Sequence, residues 1–153
     1  MASAFIKSLP ESAKVWFSRA VAGVILADGK VNEDELFYLK GTIMFLGDDL
    51  EVKNIIDSVK AKQTPQLDRL TVDRKTAARM FIELVKLTVT DDKLTREEAQ
   101  YFVSIGTHLG FDSIFSKKVL EWGKKFCEVN REMKILMKEG ENSDPIIIEK
   151  RDS

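Results

Sequence analysis

Apolar residues recur at helical spacing along most of this chain, and the stripes they form predict helices almost throughout. The stretch 12–27 is apolar on most sides, through Val15, Trp16, Phe17, Val21, Val24, Ile25 and Leu26, which predicts a helix buried centrally. A similar stretch at 73–90 carries Ala77, Met80, Phe81, Leu84, Val85 and Leu87. Narrower stripes predict helices over 33–46 (Leu36, Leu39, Ile43, Leu46) and 96–109 (Ala99, Phe102, Ile105, Leu109). Each of these is followed by a glycine, Gly47 or Gly110, suited to the left-handed position after a helix, and Asp49 and Asp112 can then cap the next one. In those next helices Val52, Ile56 and Val59 correspond to Phe115, Val119 and Trp122.

The correspondence runs without a gap at an offset of 63 residues, which makes the chain an internal duplication. Over 28–50 the identical pairs are Asp28/Asp91, Lys30/Lys93, Glu35/Glu98, Tyr38/Tyr101, Leu46/Leu109, Gly47/Gly110 and Asp49/Asp112. Average composition would give roughly one or two. Each half should therefore form the same three-helix unit, the halves related by a pseudo-two-fold axis and joined by the polar, proline-containing connector 62–67. Tyr38 and Tyr101, at equivalent positions, are expected to pack where the halves meet.

The second copy continues past the end of the first. Apolar residues recur at Phe115, Val119, Trp122, Phe126, Val129, Met133 and Leu136, alternating steps of three and four, which is a heptad seam predicting one long helix over 113–138. The extension is expected to fold back and close the core of its own bundle. The alternative is a docking face for a partner helix. Gly123 weakens this helix by roughly 1 kcal/mol. Lys117, Lys118, Lys124, Lys125, Arg131, Lys134 and Lys138 would also allow peripheral contact with anionic lipid, but Glu121, Glu128 and Glu132 interrupt that basicity and favour a solvated face. After Gly140 the chain turns polar and then reaches Ile146, Ile147 and Ile148, which call for a cover from the domain or from a partner.

With 153 residues, 44% hydrophobic and 32% charged, the chain suits one globular domain with a continuous core. A net charge of −1, from 24 basic and 25 acidic residues, gives no field to hold nucleic acid against competing counterions. The opening Met-Ala-Ser-Ala-Phe-Ile-Lys lacks a basic region before a long apolar run, and no stretch reaches the length of a membrane span, so a cytoplasmic location is expected. Cys127, the only cysteine, excludes an internal disulfide and a cysteine zinc site. His108 aligns with Phe45 and reads as a packing residue. No nucleophile and base set and no phosphate-cradling glycine loop appears, so catalysis is not expected.

Candidate chemistry lies in the duplicated acidic turns. Asp28, Gly29, Val31 and Glu35 match the latter half of a calcium-binding EF-hand loop, but its first two ligand positions would be Val24 and Leu26, which offer no side-chain oxygen. A cation site would form only if Asp28 and Glu35 came near Asp91, Asp92 and Glu98, or if other oxygens joined. Helix capping explains much of the same pattern: Asn32-x-x-Glu35 and Thr95-x-x-Glu98 are capping boxes, with the glutamates on orphan backbone donors.

An Ala-Asp-Gly-Lys-Val turn followed by Glu35, set between apolar helices and then repeated, resembles the tellurite-resistance TerB-like family, whose module also resembles the N-terminal domain of some membrane-anchored DnaJ-type co-chaperones. The likeness spans about 11–123, although the second copy reads Thr-Asp-Asp where the first reads Ala-Asp-Gly. It implies an all-helical bacterial domain with acidic metal-binding residues, in a family tied to tellurite and other stress responses. No reaction comes with it.

The expected molecule is thus an all-α helical bundle of two pseudo-two-fold-related three-helix repeats, about 12–61 and 73–123, with a C-terminal helix extended to about 138. It forms one domain over 1–140 with a flexible tail over 141–153. The expected function is non-enzymatic binding in bacterial stress response or signalling, with a divalent ion, Ca²⁺ or Mg²⁺, at Asp28, Glu35, Asp91, Asp92 and Glu98. The alternative is a protein-interaction adaptor using Phe126, Val129, Met133, Leu136, Ile146, Ile147 and Ile148, the acidic turns being purely structural.

Overall fold

A computed structural model of the chain describes residues 4–27, 33–43, 49–88 and 94–147. Among these residues there are seven helices and no strand: α1 (Ala4–Ser8), α2 (Glu11–Ala27), α3 (Glu33–Ile43), α4 (Asp49–Lys60), α5 (Arg74–Thr88), α6 (Arg96–His108) and α7 (Ser113–Asn142). Glu11 and Glu33 open α2 and α3, and Arg74 and Arg96 open α5 and α6, an offset of 63 residues in both pairs.

Helix α2 is the axis of the bundle, as its all-round apolar pattern requires. It packs against α3, α4, α5 and α6, while α7 closes the far side against α5 and α6. Phe17, Val21, Val24 and Ile25 of α2 are fully buried beside Phe81, Leu84 and Val85 of α5 and Phe102 and Ile105 of α6. At Gly23 the Tyr101 side chain comes so close that a methyl group there would overlap its ring and hydroxyl. Tyr101 of α6 therefore packs directly against α2; Tyr38 lies outside the described side chains.

The connector does more than link. Trp16 donates its indole N–H to the Asp68 carbonyl at 2.7 Å, and Leu70 N–H donates to the His108 carbonyl at 3.1 Å, while Leu67, Leu70 and Val72 rest on the core. Asp73 then caps α5 by accepting from the Thr76 amide and hydroxyl, bonds that hold its carboxyl below the ordinary carboxylate range.

The turn from α6 to α7 follows from Gly110, whose φ of +85° suits a residue without a Cβ. Phe111 N–H reaches back to the Gly106 carbonyl at 2.8 Å and Gly110 N–H to Thr107 at 3.0 Å, a Schellman motif. Arg74 satisfies two further carbonyls, those of Leu109 and Gly110, and lies 4.2 Å from the centroid of Phe111. Asp112 caps α7 through the Phe115 amide at 2.8 Å. In the first half Asp49 is itself the first helical residue, and Gly47 lies outside the described residues. Helix α1 had no counterpart in the sequence reading; Ile6 and Leu9 bury there, and the Arg79 guanidinium covers the Phe5 ring at 4.6 Å.

The expected fold-back of the C-terminal extension is corrected by the structure. The residues α7 buries in the bundle are Val119, which belongs to the predicted seam, and Ser116, Leu120, Gly123 and Cys127, a line one position out of phase with it. Being mostly small, these residues let α7 approach α6 closely: a Cβ on Gly106 would run into the Ser116 hydroxyl. From Arg131 to Ile147 every residue is exposed, so Met133 and Leu136 join no core. Helix α7 ends at Asn142, four residues beyond the predicted limit.

Candidate functional site

Of the five predicted metal-ligating residues only Glu98 has a described side chain; Asp28, Asp91 and Asp92, and the side chain of Glu35, lie outside the described residues. Glu98 sits at the third position of α6, where its Oε1 accepts from the Thr95 amide at 3.3 Å and the Thr95 hydroxyl at 3.0 Å. Thr95 Oγ1 in turn accepts from Glu98 N–H at 3.1 Å. This is the complete capping box that the spacing predicted. It engages one carboxylate oxygen with local donors, so this oxygen is a poorer cation ligand. Among the described residues no three carboxylate, histidine or cysteine side chains gather as a metal site would require.

Near this helix start lies a different kind of polar group. Tyr101 Oη is buried without a hydrogen-bond partner among the described residues, and loss of solvent pushes its pKa up to about 12. In the unfolded chain a tyrosine ionises near 10, so above that pH the unfolded state releases a proton that the native state keeps. Stability should fall as pH rises from about 10 to about 12. Tyr101→Phe should flatten that alkaline limb, and at neutral pH it should cost nothing or stabilise by up to about 1 kcal/mol, because the lost hydroxyl had no partner. Urea unfolding of both proteins across pH 7 to about 11 checks it; a loss above about 1 kcal/mol at pH 7 would mean that the hydroxyl is bonded.

An open cleft of about 250 Å³ between α2, α4 and the connector is lined by Arg19, Glu51, Asn54, Ser58, Pro65 and Gln66. Its two charges pair with each other, Arg19 Nε donating to Glu51 Oε1 at 2.7 Å, which makes it a brace between helices. His108, half-exposed, donates its Nδ1 proton to the Ser104 carbonyl of its own helix at 2.7 Å.

An extended apolar surface lies on α7. Trp122 is 40% exposed, Val129 61%, Met133 48%, Leu136 65% and Met137 66%, with Phe126 half-buried beside them and stacked on Trp122 at 5.4 Å. These residues follow the predicted seam. They lie about 100° round the helix from the buried line, because the two lines differ by one residue. At its bundle end the stripe runs into an apolar groove of about 200 Å³ lined by Ile82, Phe115, Lys118, Val119 and Trp122. Ile146 and Ile147 are also exposed, 89% and 87%, whereas Ile148 lies outside the described residues. Of the predicted partner-binding residues, the structure thus places Phe126, Val129, Met133 and Leu136 on one face. Met137, which falls off a strict three-four alternation and so carries no seam signal in the sequence, widens this face. No helix among the described residues is long and apolar enough to cross a membrane.

In comparisons with known proteins, no family model, no curated protein and no solved structure matches the chain.

Proposed function

We propose that the protein is a non-enzymatic interaction module whose working surface is the apolar stripe of α7. The observation that carries this reading is a break along one helix: up to Cys127 α7 buries Ser116, Val119, Leu120, Gly123 and Cys127 in the core, and beyond it leaves Val129, Met133, Leu136 and Met137 in water. A contiguous patch of large apolar side chains at the edge of a soluble bundle marks a contact surface. Core formation does not need it, since the bundle's own contacts end near Cys127.

The setting proposed is that implied by the TerB-like resemblance: a bacterial cytoplasmic domain in stress response or signalling, built from duplicated halves, 12–61 and 73–123, about a pseudo-two-fold axis. In this reading the acidic turns serve as helix caps, consistent with the capping box at Thr95 and Glu98. A divalent cation at those turns would belong to a separate role and is not needed for contact through α7.

A photo-crosslinking residue placed at Met133 in the full chain and irradiated in cells tests the surface, with the same residue at exposed Lys53 on α4 as control. Adducts above the mass of the chain should form from position 133 and not from 53. Absence of any adduct from 133, or equal adducts from both positions, overturns the reading.

A further inference from the structure

Resting on the interaction-surface reading above, we propose that the α7 stripe binds the same stripe of a second copy, with the two α7 helices antiparallel and centred on Arg131.

Three features of the stripe select this arrangement. The first is layer matching. In an antiparallel helix pair each a position meets a d position of the partner. Centred on Arg131, Phe126 then meets the partner's Leu136, Val129 meets the partner's Met133, and Trp122 meets the partner's Gly140. The largest ring of the stripe thus faces its smallest residue, and Gly140 has open space where a side chain would stand.

Charge is the second. The residues flanking the seam on one edge are Lys125, Glu132 and Glu139. In the antiparallel register Lys125 faces the partner's Glu139 twice over, by symmetry, while Glu132 faces its own copy. Two attractive pairs outweigh one repulsive pair. A parallel pair would set Lys125 beside the partner's Asn130 and Glu132 beside the partner's Met137, which offers no attraction. The exposed segment carries three basic residues, Arg131, Lys134 and Lys138, and four acidic ones, Glu132, Glu139, Glu141 and Asp144, a mixture that suits a protein surface and disfavours an anionic membrane.

Size and position are the third. Covering Trp122, Phe126, Val129, Met133, Leu136 and Met137 on both copies would bury on the order of 1,000 Å² in total, about the minimum for a specific dimer. Since the stripe lies to the side of the bundle-facing line, the partner helix does not displace α5 or α6. The same register carries the partner's Ile146 and Ile147 towards the groove at Ile82, Phe115 and Trp122, giving those isoleucines the cover they lack.

Analytical ultracentrifugation of the full chain tests the proposal. Wild type should sediment as a monomer–dimer equilibrium with a dissociation constant in the micromolar range. Lys125→Glu and Glu139→Lys should each weaken it about tenfold, the double variant should return to within about threefold of wild type, and Glu132→Gln should tighten it. All three substitutions are at exposed positions, so each variant should melt as wild type does when diluted to monomer. A wild type that stays monomeric at about 1 mM overturns the proposal, as does a double variant no tighter than the single ones. If adducts from position 133 then carry the mass of another protein, the interaction-surface reading survives without the dimer; if position 133 gives none, both fall.

Discussion

Replacing Phe81 by alanine should lower stability by about 3–5 kcal/mol, the range for a fully buried phenylalanine. Phe81 is inaccessible to solvent on α5, stacked on Phe111 at 6.0 Å and tilted against Phe115 at 6.4 Å, with Phe111 and Phe115 themselves 4.5 Å apart. Its ring also lies against Gly106 of α6. One side chain thus joins α5 to both helices of the closing layer, and its loss leaves a cavity whose walls, held by the Schellman turn and the Arg74 clasp, are poorly placed to collapse. In a chain of this size each kcal/mol shifts the melting temperature by about 2–4 °C, so a fall on the order of 10 °C is expected. Ile114→Ala, at an exposed position on α7, should change stability by less than about 0.5 kcal/mol. Calorimetry on the two variants decides; equal losses would mean that the aromatic cluster is not part of the core.

Gly106→Ala should destabilise by about 1–3 kcal/mol, even though alanine is intrinsically better in a helix by about 1 kcal/mol. The added methyl would overlap the Ser116 hydroxyl and come within 3.1 Å of the Phe81 ring. Ser116 is fully buried and its hydroxyl already donates to the Asp112 carbonyl at 3.0 Å, so it has little room to retreat. Ser116→Ala removes the obstructing oxygen. In that background Gly106→Ala should cost at least 1 kcal/mol less than in wild type, a coupling readable by a double-mutant cycle. Additive effects would place the crossing of α6 and α7 elsewhere.

The all-helical class was legible because the apolar periodicity is strong and the stop signals sit where it fails. Gly110 and Asp112 mark the end of α6 and the start of α7 by their backbone needs alone, and Thr95 with Glu98 announces the start of α6. What the sequence concealed was which face of α7 turns inward. Hydrophobicity favours the line through Trp122 and Phe126, whereas close helix packing favours the line through Ser116, Gly123 and Cys127, whose small side chains carry no strong apolar signal. Ile55 was missed for a related reason: it lies between Val52 and Ile56 of the expected stripe, yet it is the more deeply buried residue. Helix α1 is too short to show a period, and its burial follows from Ile6 and Leu9 reaching a surface the local sequence does not contain. The proposed dimer register rests on charge and size across the seam, which become informative only once that face is known to be exposed.

The central place of α2 has a consequence during synthesis. This helix is finished at Ala27, but much of the surface that covers it belongs to α5 and α6, the last of which ends at His108. At ribosomal rates of about 5–20 residues per second, the interval is on the order of ten seconds. Throughout that time the nascent chain presents Phe17, Val21, Val24 and Ile25 to its surroundings without their final neighbours, a natural binding site for general chaperones. The segment from α2 to α4 is therefore not a folding unit in its own right, and the molecule's kinetic vulnerability lies at its N-terminal end rather than along the projecting helix.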